Sequence, residues 1–189
     1  AFQLFQGFVR DLLPEELHAK FSPAHRVAFG RFSRLWTEHL GKTGNARVRT
    51  LGAEMAWHVI RTYLKGMQQP GEAALDLDGY RELPRRRKTV TEDTFQLVYD
   101  QVWKSWYQPF CDEGNFWDDQ DLAFAALSAP ELAASVPVVF CDEAQDFTKN
   151  ELELITRFSV FFRRRLDARL LPRVPIAFAG DPFQTLNPT

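Results

Sequence analysis

Cysteine is scarce in this chain: two in 189 residues, Cys111 and Cys141. That excludes the multi-bridge framework of a small secreted domain, and Cys141 falls in an apolar run that suits a small core side chain. A reducing, intracellular compartment is expected, cytoplasmic or, in a eukaryote, nuclear. Long hydrophobic runs are missing as well. No stretch approaches the roughly 20 apolar residues of a membrane span, and the start has no leader pattern, so no membrane partner is expected. Net charge is only −2, so bulk charge gives no case for a polyanion partner. A glycine-rich phosphate loop, G-x-x-x-x-G-K-[ST], is also lacking. The lone Gly41-Lys42-Thr43 has Trp36 five positions before Gly41 and follows a helical stripe, so it reads as a helix C-terminus. There is no initiator Met and the chain stops at Asn187-Pro188-Thr189, so both ends read as cuts in a longer protein.

What is present is a folding chain. Hydrophobic residues make up 45% and aromatics 14%, which excludes a disordered class. The length allows one large domain or one domain with an insertion. Charge is unevenly placed: residues 1–110 carry sixteen Lys/Arg against twelve Asp/Glu, and residues 111–189 carry seven against thirteen. Polyanion contact on one side only is compatible with that split.

The first half reads as helices. Phe2, Phe5, Val9 and Leu12/Leu13 recur at helical spacing until Pro14. A second stripe, Ala28, Phe32, Leu35, Trp36 and His39/Leu40, is expected to end at Gly41. A third, Leu51, Met55, Val59 and Thr62/Tyr63, runs out at Gly66. Residues 67–88 have loop composition, with Pro70-Gly71, Asp78-Gly79, Pro84 and the basic run Arg85-Arg86-Arg87-Lys88. A fourth helix is expected to open at Thr89 with Glu92 in capping-box spacing, and to stop near Pro109. Trp103, Trp106 and Tyr107 on it read as core. The four histidines have no metal-like spacing and read as surface or helix-face residues. The expected division is a helical subdomain over 1–114 and a strand-bearing domain over 115–189.

The strand-bearing part holds the chemistry. Val136 to Cys141 is a short apolar run ending in Asp142-Glu143-Ala144-Gln145-Asp146, and Val174 to Ala179 is another, ending in Gly180-Asp181-Pro182-Phe183-Gln184. Such runs suit strands buried on both faces of a parallel sheet. Between them Thr148 and Glu151 have capping-box spacing and open a helix through Phe162, completing a parallel strand–helix–strand unit. Ligands of open α/β sheets sit at the carboxyl ends of the strands, where these acids fall. Mg²⁺ takes one or two carboxylates alongside waters and phosphate oxygens, a role for Asp142. Glu143, one residue on, suits the general base or water-positioning group. Gln184 could donate its amide to a γ-phosphate. Gln145 and Asp146 are relay candidates or helix-start residues.

Asp142–Asp146 resembles motif II, and Gly180–Gln184 motif III, of the UvrD/Rep-like superfamily 1 helicases. Trp117-Asp118-Asp119-Gln120-Asp121-Leu122 is similar to the F-D-D-L stretch that these proteins carry one helix before motif II. The resemblance is specific over roughly residues 115–187 and loose before that. It implies an α/β fold: a P-loop NTPase-like (RecA-like) partial parallel sheet with a predominantly helical N-terminal subdomain. It also implies ATP and Mg²⁺ as cofactors, with Asp142 on the metal, Glu143 activating water and Gln184 coupling the γ-phosphate to strand movement. Asp181 would join Gln145 and Asp146 in that coupling. Single-stranded DNA, ahead of RNA, is the implied partner. The remainder of the protein would supply the phosphate loop and a second motor domain.

One position departs from the family. Asn187 stands where an aromatic residue usually stacks on a base, so Phe183 is the local candidate for that contact. Arg85, Arg86, Arg87 and Lys88 are candidates for phosphate contact, or a solvated loop. Two functions follow from the resemblance. One is a fragment of an ATP-dependent translocase, inactive alone; the other is a motor-derived binding or regulatory module without translocation.

Overall fold

The structure, a computed structural model, describes residues 2–43, 45–129, 136–159 and 176–180. Helix α1 (Phe2–Asp11) stops ahead of Pro14, and α2 (Glu15–His18) and a tight turn at Pro23–His25 lead to α3 (Phe29–Thr43). Helix α4 (Ala46–Val59) opens on Asn45, whose side chain accepts from the Val48 amide at 2.9 Å, and bends at Gly52, where φ is 81°. It continues as a π-helical segment, Ile60–Lys65, to Gly66. Helix α5 (Leu77–Glu82) is followed by a single turn at Arg85–Arg87. Helix α6 (Glu92–Val98), a π-helical stretch Tyr99–Tyr107 and α7 (Gln108–Gly114) run on without a break. Helix α8 (Asp119–Ser128) precedes β1 (Val139–Cys141), the turn Ala144–Asp146, α9 (Lys149–Arg157) and β2 (Ile176–Phe178).

The strands β1 and β2 pair in parallel, with Val139 opposite Ile176, Phe140 opposite Ala177 and Cys141 opposite Phe178. Among the described residues this is a two-stranded sheet.

Two apolar cores organise the chain. The first gathers α3, α4, the two π-helical segments, α5, α6 and α7 around Phe32, Tyr63, Tyr80, Phe95, Trp106 and Tyr107. Its rings meet edge-on, tilted or stacked: Phe32–Tyr107 is edge-on at 5.1 Å and 84°, while Tyr80 and Phe95 stack at 4.2 Å. Such pairs add about 0.5–1.5 kcal/mol each beyond their buried area. The second core joins Val9, Leu12, Leu13 and Phe21 to Trp117, Leu122, Leu127, Leu154 and Phe158.

Several details differ from the sequence expectations. The boundary at 114/115 is crossed, because α1 and Phe21 pack into the second core, with α8 and α9. Helix α3 runs through Gly41 to Thr43, since glycine weakens a helix without ending it. The expected loop 67–88 contains α5, nucleated by Asp76, whose side chain accepts from the Gly79 amide. The fourth helix is capped by Thr91 rather than Thr89, whose amide and hydroxyl instead bond Tyr63. That helix passes Pro109, which sits in the first turn of α7 where a missing N–H costs little. His58 is buried and bonds the Thr89 hydroxyl at 2.8 Å, so it is not a surface residue.

The strands also depart from expectation. They are not covered on both faces among the described residues: Phe140 is 82% exposed, Val138 48% and Phe178 47%. Cys141 is buried, as its run suggested. Among the described residues no helix is long and apolar enough to cross a membrane.

Candidate functional site: an acidic turn between two anchors

The acidic pentapeptide leaves β1 and turns at once. Cys141 carbonyl accepts from the Ala179 amide and Ala179 carbonyl accepts from the Ala144 amide, both at 2.8 Å. These bonds carry the parallel ladder one step past the strands and bring Gly180 against the turn. A Cβ on Gly180 would collide with the Gln145 side-chain oxygen, so only glycine permits this approach without displacing Gln145.

Glu143 adopts the left-handed conformation, with φ 53° and ψ 42°. A non-glycine residue there is held against a steric cost of about 1–2 kcal/mol. Strain of this kind is retained where surrounding bonds over-determine it. Here the Asp142 carboxylate accepts from the Glu143 amide at 2.9 Å, and the Glu143 carboxylate accepts from the Gln145 amide group at 2.5 Å. Asp142 and Glu143 are both exposed. Their carboxylates sit at the end of a strand where solvent or ligand can reach them.

Two acceptors in the turn are buried without a partner among the described residues, Gln145 Oε1 and Asp146 Oδ1. Unpaired buried acceptors cost about 1–3 kcal/mol each unless something donates to them or a cation faces them. The exposed Asp142 carboxylate is a further oxygen of the turn, of the kind a hard divalent cation selects. No group of three or more His, Cys, Asp or Glu among the described residues has the geometry to enclose a metal. A cation at this turn would rest on few protein oxygens and be completed by other ligands, as Mg²⁺ is. Beside it, an open apolar groove of about 460 Å³ runs along β1 and ends at Asp142, with Val138, Phe140 and Phe147 in its lining.

The turn is anchored at its far end by residues of the helical body. One guanidinium nitrogen of Arg61, Nη2, lies 3.0 and 2.9 Å from the two Glu151 carboxylate oxygens, and the other, Nη1, reaches the Asp146 carbonyl at 3.4 Å. Thr148 and Glu151 form the expected capping box at the start of α9. The Thr148 hydroxyl also donates to Gln120, and the Asn150 side chain donates to the carbonyls of Lys65 and Gln68.

A second ionic cluster lies behind this seam. Lys65, 7% exposed, places its Nζ 2.6 Å from both Asp118 and Asp121, and the Tyr107 hydroxyl donates to Asp118. Burial works against the ammonium, but the two carboxylates outweigh it and hold Lys65 above its ordinary pKa. Asp121 is raised by burial and by Asp118, with Lys65 opposing. Burial likewise pushes the Cys111 thiol up to about 12, against a smaller opposing pull from Lys65.

Of the residues named from sequence, the structure brings together Asp142, Glu143, Gln145 and Asp146. Asp181, Phe183, Gln184 and Asn187 lie outside the described residues. Arg85, Arg86 and Arg87 form an exposed turn on the first core, and Lys88 donates to the Arg81 carbonyl. Arg61, Lys65 and Asn150 were not singled out from sequence. Arg61 meets Asp146 and Glu151 across 85 and 90 positions, and no local pattern signals such a pairing. The chain matches no family model, no curated protein and no solved structure.

Proposed function

We propose that this chain forms one wall of a nucleotide-driven motor of the UvrD-like type, which hydrolyses Mg-ATP while moving on single-stranded nucleic acid. The observation that carries the reading is the junction of the two acid-ended segments. Parallel pairing of β1 with β2 seats Gly180 against Gln145, so the residue that leads into Asp181–Gln184 adjoins Asp142–Asp146.

In this reading Asp142 holds the metal, and Gln145 and Asp146 couple that end of the site to the rest of the molecule. Mg-ATP, when bound, supplies the phosphoryl group and the charge that polarises it. Glu143 takes up the proton of an attacking water. The Gln145 amide orients the Glu143 carboxylate. Gln184 senses the γ-phosphate, with Asp181 relaying its position. Phe183 and Arg85–Lys88 contact the strand.

The reading is tested on the protein in its native gene context, by its ATPase activity with and without single-stranded DNA. Glu143→Gln should lower the stimulated turnover by about 10²–10⁴-fold, the range of a lost general base. Unchanged turnover would remove Glu143 from the chemistry. A wild type that binds the strand but shows no stimulated ATPase would favour the second reading, a motor-derived binding module. The dominance of the helical core over the small sheet speaks for that alternative.

A further inference from the structure

We infer that Arg61, carried by the π-helical segment of the helical body, is the positioning residue for the acidic turn. It fixes the place of Asp142 and Glu143 by holding the turn's far end. The inference rests on the reading of Asp142–Asp146 as the metal-and-water end of the site.

The turn hangs between two fixed points. At its near side Ala144 is bonded to Ala179 at the end of β2. Beyond its last residue, the first turn of α9 holds Glu151, which is 2% exposed and accepts from the Thr148 amide at 2.7 Å as well as from Arg61. That carboxylate cannot move without breaking its own helix cap, so it presents Arg61 with a rigid acceptor. The remaining arm of the guanidinium points at the Asp146 carbonyl. A guanidinium spans Glu151 and Asp146 with two separate nitrogens, which the single nitrogen of a lysine does not offer.

The start of α9 is also pinned to the helical body independently of Arg61. The Asn150 amide donates to the Gly66 carbonyl at 3.1 Å, and a Cβ on Gly66 would press on Thr148 at 3.0 Å. With that pin in place, losing Arg61 frees the turn rather than the whole helix. π-Helical turns recur at functional sites, and Arg61 is the residue this one delivers to the acidic turn.

Hydrogen exchange and Mn²⁺ binding on the 189-residue chain test the inference. The variants are Arg61→Gln and the double Arg61→Gln/Glu151→Gln, the second because it leaves no buried carboxylate unpaired. Amides of residues 143–147 should exchange about tenfold faster in both variants, while those of 95–103 in the first core keep their rates. Mn²⁺ affinity, read by paramagnetic resonance, should fall several-fold in parallel. Unchanged exchange at 143–147 would overturn the inference, as would a uniform rise across the chain. Asp142→Asn separates the two readings. Faster exchange at 143–147, with Mn²⁺ affinity indifferent to Asp142→Asn, would support Arg61's hold and overturn the metal assignment instead.

Discussion

Glu143 shows how much a single residue can hide from its sequence. The pentapeptide Asp142–Asp146 is legible because a run of acids after an apolar strand is a local pattern. The left-handed backbone of Glu143 is not, because nothing in a Glu predicts positive φ. The conformation has a measurable consequence. Glu143→Ala and Glu143→Gly both remove the carboxylate, but only glycine relieves the steric cost. In chemical denaturation the glycine variant should be the more stable of the two by about 1 kcal/mol. An alanine variant of equal or greater stability would mean the turn relaxes when the carboxylate is gone. Cys111 gives a second residue-scale test. With its thiol pushed up to about 12, the thiolate fraction at pH 8 lies roughly a thousandfold below that of an ordinary cysteine. Alkylation of native chain at pH 8, followed by mass spectrometry, should spare Cys111, and unfolding in denaturant should restore ordinary labelling.

At the scale of elements, periodicity located the long helices but neither α5 nor the joints between them. The stripes through Phe32, Val59, Phe95 and Val102 mark helices because one face of each must bury. Their joints depend on side-chain competition that spacing does not show. Thr89 has the right spacing to cap and is instead captured by Tyr63, so Thr91 caps. The buried Lys65–Asp118–Asp121 cluster is another such joint, linking the π-helical segment to α8. Removing one partner of a buried ion pair costs about 3–5 kcal/mol, because the other charge stays behind. Lys65→Met should therefore destabilise by about that much at pH 7. The sign of its pH dependence follows from Asp121, whose folded pKa is already raised. A raised carboxyl contributes stability that is present at low pH and lost as pH climbs through its folded value. Without Lys65 the raise is larger, so the gap between variant and wild type should narrow from pH 7 towards pH 4. Thermal melts at the two pH values measure it, and a gap that widens on acidification contradicts the cluster.

Among the described residues the molecule has two apolar cores joined along a polar seam, with a two-stranded sheet beside them. Sequence composition suggested a helical body next to strands, yet the second core also takes in the first helix. Packing partners that far apart in the chain leave no local trace. The seam runs through Arg61–Glu151, Lys65–Asp118 and Asn150–Lys65, so the acidic turn lies where the two cores meet. The sheet is the place where apolar patterning overstated burial. Val138, Phe140 and Phe178 are apolar as in a sheet covered on both faces, but they remain open among the described residues. Exposed side chains contribute little to folding, and substitutions there usually stay within about 0.5 kcal/mol. Phe140→Lys should therefore leave the melting temperature almost unchanged, although the same change at buried Phe95 would unfold the chain. It should also reduce self-association at high concentration, because it breaks up an exposed apolar patch and charges the rim of an open sheet. Light scattering alongside the thermal melt decides between the alternatives. A drop in melting temperature of more than a few degrees would mean that Phe140 is packed in solution, and that the sheet is covered on both faces after all.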